Sequence, residues 1–260
     1  MVTTLGVVEV VPSVEGLSSK SPLAGIARRR FAGKTLLEWV VRRASDADHL
    51  EQIVVVAGPD PLSRSLAQLA PPDARVLITE GTDSLARLAA VCRQIPCQGV
   101  VRLSVSDPFI DPILIDRLVQ SASGEESCDY ACFCFGDGRA VHQSRMGVFA
   151  DWCRSDAVLR ADRRSRTPGE RSDPARFLYS HRETFSVKKI PVPSKLDRDD
   201  LRLAIRDEED WENVEMILEA LGPESLDWQY ITSLLDRHPT VCQRMAEHNR
   251  AEIGLVGQTS

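Results

Sequence analysis

The sequence predicts an α/β fold, three layers built around a mostly parallel, twisted sheet. Apolar β-branched runs and amphipathic segments alternate through the first half of the chain, as repeated βα units do. The runs are continuous instead of alternating with polar residues, which marks strands covered on both faces. The 260 residues, 43% hydrophobic and 27% charged, suit one large α/β domain with an appendage, or two small domains.

Taken in order, residues 5–12 (LGVVEVVP) read as a buried strand. Residues 34–46 (KTLLEWVVRRASD) have helical periodicity, with Leu37, Val40, Val41 and Ala44 on one face. A second strand spans 51–58 and stops at Gly-Pro. A helix over 63–70, a strand over 74–81, a helix over 83–95 and a strand over 99–105 follow. Residues 111–122 form a helix with Asp111 as N-cap and Pro112 at the first helical position. Residues 129–150 read as a strand, a turn at Gly136-Asp137-Gly138 and a return. The basic, Pro- and Gly-containing stretch 160–177 reads as a mobile loop or the edge of an arm. A strand over 185–193 comes next, and 201–221 combines a strand, a cluster of acids and an amphipathic helix. Residues 227–250 are helical with a break at His238-Pro239. The expectation is a single domain over 1–253, with an arm or subdomain within about 124–177 and a tail over 254–260.

Net charge is −6 and the pI near 5.5, so no nucleic-acid partner is expected. No apolar run approaches the roughly 18 residues that span a bilayer, so no membrane partner is expected either. The N-terminus has neither a positive segment nor a small-residue cleavage site, so the expected location is cytoplasmic. Seven cysteines without a paired CxxC set argue for reduced thiols, and Cys132 and Cys134 share a strand face. The five histidines lack HxxH or HExxH spacing, so no zinc site is expected. Asp46-Ala-Asp48 follows a helix and not a core strand, so it is not read as a metal motif.

Chemistry concentrates in VRLSVSDPFIDPILIDRL (101–118), where an apolar run stops at Ser-Asp-Pro. This stretch, with FAGKTLLEWVVRRA (31–44), EQIVVVAGPDP (51–61), EGTDSLARL (80–88), the 168–193 segment and LRLAIRDEEDWENV (201–214), resembles the cytidylyltransferases that make CMP-activated acid sugars. Their spore-coat-type relatives in surface-polysaccharide biosynthesis are closer still. The resemblance implies a nucleotide-diphospho-sugar transferase, Rossmann-like fold with an inserted dimerisation arm, and a homodimer. It implies transfer of CMP from CTP to a small, acidic sugar acceptor, with release of pyrophosphate and with Mg²⁺ as cofactor.

Its implied nucleotide-binding residues are Pro12, Ser13, Gly16, Ser19, Gly25, Ala57, Asp60 and Asp83, gathered at the carboxyl ends of the strands. The family's triphosphate-gripping Arg and Lys are replaced by Val14 and Ile26; Lys20, or the Arg28–Arg30 run, lies near enough to supply that charge. A helix N-terminus and backbone N–H groups also hold phosphate without a cation. At the two metal positions stand Ser106 and Arg206, with Asp107 and Asp207 one residue late. Asp107 and Asp207 are therefore either shifted Mg²⁺ ligands or, respectively, a turn residue before Pro108 and a helix-start acid. Arg206 would put fixed positive charge where an ion would sit. Asp107, Lys20 and Arg206 are the candidate catalytic residues. Arg171 matches the Arg of the family's Arg-Glu-His stretch and is the candidate substrate ligand, with Ser172 and Asp173 replacing the other two. Arg163, Arg164, Arg166 and Arg176 either join it or form a solvated loop. Two functions stay open: an active cytidylyltransferase, or a catalytically degenerate relative that binds a nucleotide or acts as a dimeric partner protein.

Overall fold

Strand β1 (Thr4–Glu9) sorts its side chains by alternation: Leu5 and Val7 enter one apolar layer and Val8 the other. Strand β4 (Gln52–Ala57) does the same, with Ile53, Val55 and Ala57 on one side and Val54 and Val56 on the other. The computed structural model that shows this describes residues 3–11, 22–124 and 128–256.

Helix α1 (Pro22–Arg28) leads into a small hairpin of β2 (Arg30–Phe31) and β3 (Lys34–Thr35). Helix α2 (Leu36–Ser45) starts where Thr35 Oγ1 accepts from the Glu38 N–H, and its predicted face of Leu37, Val40, Val41 and Ala44 is buried. Helix α3 (Pro61–Ala67), strand β5 (Arg75–Ile78), helix α4 (Ser84–Gln94) and strand β6 (Gly99–Leu103) continue the βα rhythm. Helix α5 (Pro112–Ala122) has the expected cap, Asp111 Oδ1 accepting from the Leu114 N–H at 3.1 Å, and the expected leading proline. Strands β7 (Tyr130–Cys134) and β8 (Asp151–Arg154) precede helices α6 (Ser155–Arg164), α7 (Pro168–Ser172) and α8 (Pro174–Ser180). Strand β9 (Val187–Pro191) and helices α9 (Glu208–Leu221), α10 (Trp228–Leu235) and α11 (Pro239–Val256) complete the chain.

Among the described residues the main sheet has seven strands in the order β5-β4-β1-β6-β8-β7-β9. Every neighbouring pair is parallel except the two made by β8, which runs against both β6 and β7. Helices α2, α5, α9 and α10 cover one face, and α4, α6 and α8 the other. The mostly parallel three-layer fold is as expected.

Several local readings are corrected. The basic 160–177 stretch is helical, because its charges lie outward while Ala157, Val158, Ala161, Phe177 and Leu178 are buried on the sheet. The return after Gly138 is a single bridge, Cys134 to Ala140, and a short 3-10 turn. Of the 124–177 segment expected to hold an arm, β7 and β8 lie inside the main sheet. Residues 201–205 are buried but form no ladder. Leu203 and Ala204 both donate to the Arg145 carbonyl, at 2.9 and 3.1 Å, and Ile205 donates to Ser106 O at 2.8 Å. That close pass requires Gly147, whose φ is +68° and where a Cβ would lie 2.5 Å from the Ala204 nitrogen. All seven cysteines are free thiols. No helix among the described residues is long and apolar enough to cross a membrane.

Candidate functional site

The sheet opens at the carboxyl ends of β1 and β6 into a cleft of about 930 Å³. Glu9, the last residue of β1, forms one wall. Its carboxylate takes Arg87 Nε at 2.9 Å and Ser84 Oγ at 2.6 Å, both from the first turns of α4. Asp83 caps α4 by accepting from the Ala86 N–H at 2.8 Å, and its other oxygen takes Arg171 Nε at 2.7 Å. Arg171 is further held by Asp162 Oδ1 at 2.7 Å.

The floor comes from β6 and the antiparallel β8, whose register sets Arg102 opposite Asp151. Arg102 Nη1 reaches Asp151 Oδ2 at 3.0 Å and Asp173 Oδ1 at 3.3 Å. Tyr130 donates its single hydroxyl proton to Asp151 Oδ2 at 3.0 Å, so His142 Nδ1, 3.1 Å away, donates to Tyr130. Burial lowers the pKa of His142 against the pull of Asp151, keeping it neutral.

Beyond β6 the backbone turns. Ser106 N–H donates to Ser104 Oγ and Asp107 N–H to Ser104 O, each at 3.1 Å. Ser106 is buried, and Asp107 lines the cleft. Burial pushes the Asp107 carboxyl up to about 6, opposed by the positive charges of Arg206 and Arg145. Arg206 is exposed and lines the same cleft. Asp207 is not among the residues lining it. It caps α9, accepting from the Asp210 N–H at 3.0 Å, with His248 Nε2 3.1 Å and Arg202 Nη2 3.7 Å from its other oxygen.

Of the residues expected to act together, Asp83, Asp107, Arg171 and Arg206 converge on the cleft, and Arg166 joins them. Gly25 is exposed on α1, Ala57 is buried at the end of β4 and accepts from the Thr79 N–H, and Asp60 caps α3 through the Ser63 N–H; none lines the cleft. Hydrogen bonds from Ser63 hold Asp60 below the usual carboxylate range. Pro12, Ser13, Gly16, Ser19 and Lys20 lie outside the described residues. In the Arg28–Arg30 run, Arg28 bonds Ser65 at 2.7 Å, Arg29 pairs with Glu208 and stacks on Trp211, and Arg30 bonds Gly33 O. The sequence reading missed Glu9, Arg102 and Asp151. Glu9 and Arg102 did carry a signal, since each is a lone charge inside an otherwise apolar strand and must be paired or functional.

A divalent cation finds partners here only in part. Glu9, Asp83, Asp151 and Asp173 are each paired with an arginine, which leaves Asp107, among the described residues, as the cleft carboxylate facing cations without such a close pair. Mg²⁺ is commonly held by one or two carboxylates together with substrate phosphates, so the residues fit an ion arriving with a triphosphate and not a protein-only cage. The Asp207–Asp210–His248 cluster lies elsewhere, and Arg202 already binds Asp210 through two bonds of 2.5 and 3.1 Å.

A charged cleft at the strand ends of a parallel sheet is the arrangement of nucleotide-handling α/β proteins. The chain belongs to the MobA-like NTP transferase domain family, which it matches over residues 27–235. Its fold is similar to that of a cytidylyltransferase from Leptospira borgpetersenii serovar Hardjo-bovis, at 19% identity and a TM-score of 0.76 over 93% of this chain and 96% of that one. It is also similar to a CMP:2-keto-3-deoxy-manno-octonic acid synthetase complexed with CTP, at 13% identity and a TM-score of 0.61 over 84% and 99%. A Mycobacterium tuberculosis protein in complex with manganese matches at 15% identity and a TM-score of 0.55 over 82% and 97%. Comparison with proteins of curated function gives no match.

Proposed function

We propose that this nucleotidyltransferase-family protein transfers CMP from CTP to the hydroxyl of a small acidic sugar in surface-polysaccharide biosynthesis. One observation carries most of the weight: Asp107 and Arg206 line one cleft at the strand ends, as a carboxylate and a cation suited to a triphosphate. In the reaction the sugar oxygen attacks the α-phosphorus in line, the bond to the bridging oxygen breaks, and pyrophosphate leaves with the electron pair. Mg²⁺, when bound, would be held by Asp107 and would neutralise phosphate charge. Arg206, with Arg166, adds fixed positive charge, and Arg102, Asp151 and His142, tied together through the buried Tyr130, offer polar groups to the acceptor. A homodimer belongs to the same reading.

A second reading has its own support. With Asp207 spent on capping α9, one of the two expected carboxylates does not line the cleft, which favours a degenerate relative that binds nucleotide without turning it over. Calorimetric titration of CTP with and without Mg²⁺, using the other nucleotides as controls, separates the two. The enzyme reading expects CTP binding that requires Mg²⁺, followed by pyrophosphate release with a sugar acceptor. Metal-independent binding selects the second reading, and no binding of any nucleotide overturns both.

A further inference from the structure

Arg206 reaches the cleft from a stretch of backbone that no sheet ladder holds. Among the described residues its side chain makes no hydrogen bond, so its aim depends on where its main chain is fixed. A ring of bonds does the fixing. The Arg206 N–H donates to Asp210 Oδ2 at 2.8 Å, and Arg202 Nε and Nη2 bind the two Asp210 oxygens at 2.5 and 3.1 Å. Arg202 Nη1 donates in another direction, to Glu252 Oε2 at 2.7 Å. Glu252 Oε1 also takes Arg145 Nε at 3.0 Å, and the Arg145 carbonyl accepts from Leu203 and Ala204, which returns the ring to the segment where it began. Helix α11 holds the same stretch at two further points. Asn249 Nδ2 donates to the carbonyls of Asp199 and Leu201 at 3.0 and 3.1 Å, and His248 Nε2 lies 3.1 Å from Asp207 Oδ2.

We propose that Glu252, on the last helix of the chain, is a positioning residue for Arg206: it closes the ring so that the guanidinium is presented to the phosphates of the nucleotide. The inference rests on the nucleotide-binding reading above and assigns one part of that site to α11. The charges explain why the ring needs its fourth member. Arg202 and Asp210 are 2% and 0% exposed, and Asp210 alone cannot neutralise both Arg202 and Arg145. Glu252 lies between the two arginines and supplies the second negative charge. Without it, two guanidinium groups that now share a carboxylate face each other with one partner gone, an uncompensated arrangement that the structure relieves by moving. The segment free to move is the one outside any ladder, and Arg206 is at its end. A cation already in place binds an anion better than one that must first be gathered, so a loosened Arg206 costs affinity. Glu252 itself is 31% exposed, so changing it leaves the buried Arg202–Asp210 pair intact.

The test is a double-mutant cycle on the full chain. CTP and inorganic triphosphate, each with Mg²⁺, are titrated at pH 7 into wild type, Glu252→Gln, Arg206→Ala and the double variant. Glu252→Gln should weaken both ligands about three- to tenfold. In the Arg206→Ala background the same change should weaken them by less than about twofold, because the residue it positions is gone. Glu252→Asp, which keeps the charge on a shorter arm, should bind more tightly than Glu252→Gln. Equal losses in the two backgrounds assign Glu252 to the fold alone and overturn the proposal. Wild-type affinity in Glu252→Gln, or a Glu252→Asp weaker than Glu252→Gln, overturns it as well. In each of those cases wild type still binds CTP, and the nucleotide reading stands. If wild type binds neither CTP nor triphosphate, that reading falls and this inference falls with it.

Discussion

At the end of β6 the Ser104 hydroxyl and carbonyl take the next two free N–H groups, and that turn brings Asp107 to the cleft while Ser106 is buried. At residues 206–207 no comparable turn intervenes; Arg206 takes the cleft and Asp207 bends back to cap α9. The same one-residue displacement therefore has opposite results, decided by neighbouring hydrogen bonds and not by the acids themselves. The sequence placed both carboxylates one residue late and made Asp107 alone of the two a catalytic candidate, but those hydrogen bonds, which decide that Asp107 and not Asp207 lines the cleft, are not written in the local pattern. Glu9, Arg102 and Asp151 depend on strand register, which local pattern does not encode. The half-buried Asp107 also has a stability consequence. Its folded pKa of about 6 lies above the unfolded value near 4, so its protonated form stabilises the fold below pH 4 and that contribution is lost as pH rises through 6. Asp107→Asn should raise thermal stability at pH 8 by about 1–3 kcal/mol and leave it nearly unchanged at pH 4. Melting curves at both pH values check this, and an equal shift at the two contradicts it.

The helices show which signals are local. Asp111-Pro112 was readable because cap and leading proline are adjacent in sequence. Its second role was not: Asp111 Oδ2 also accepts from the Trp228 N–H at 3.2 Å and so joins α5 to the start of α10. Asp111 is 0% exposed, so its loss would orphan two backbone donors. Asp111→Ala should cost about 2–4 kcal/mol, the cap plus an unsatisfied amide, read as a lower urea midpoint with unchanged slope. A loss under about 0.5 kcal/mol would mean water replaces the carboxylate at both ends. Helix α6 was misread for the opposite reason. Its arginines dominate the composition, while the small residues Ala157, Val158 and Ala161 that hold it down give a faint apolar signal. The 201–205 run fooled the pattern too, since burial alone does not distinguish a ladder strand from an extended segment held by three backbone bonds.

Across the molecule, α11 returns to the two segments, around 144–147 and 201–206, that contribute residues to the cleft. Glu252 binds Arg145 through Nε and Nη2, and Arg202 Nη1 at 2.7 Å, joining three segments far apart in sequence. Those bonds, Arg145 first, hold the Glu252 carboxyl down at about 2 despite partial burial. A depressed pKa contributes stability that is present above the unfolded value near 4.3 and is lost as pH falls toward 2. Glu252→Gln should therefore cost about 1–2 kcal/mol at pH 7, with wild type and variant converging between pH 4.5 and 3 in chemical denaturation. A gap that stays constant over that range would assign the effect to packing. The antiparallel β8 has a consequence for how the chain is made. Strands β1, β4, β5 and β6 are all synthesised by Leu103, but β7 cannot join them, because β8 must lie between it and β6. For about fifty residues of synthesis the half-finished sheet ends at β6, an open edge of the kind that invites pairing with another chain. Arg102 sits on that edge with its partner Asp151 not yet made, so the nascent protein guards its growing side with a charge that the finished protein turns toward its cleft.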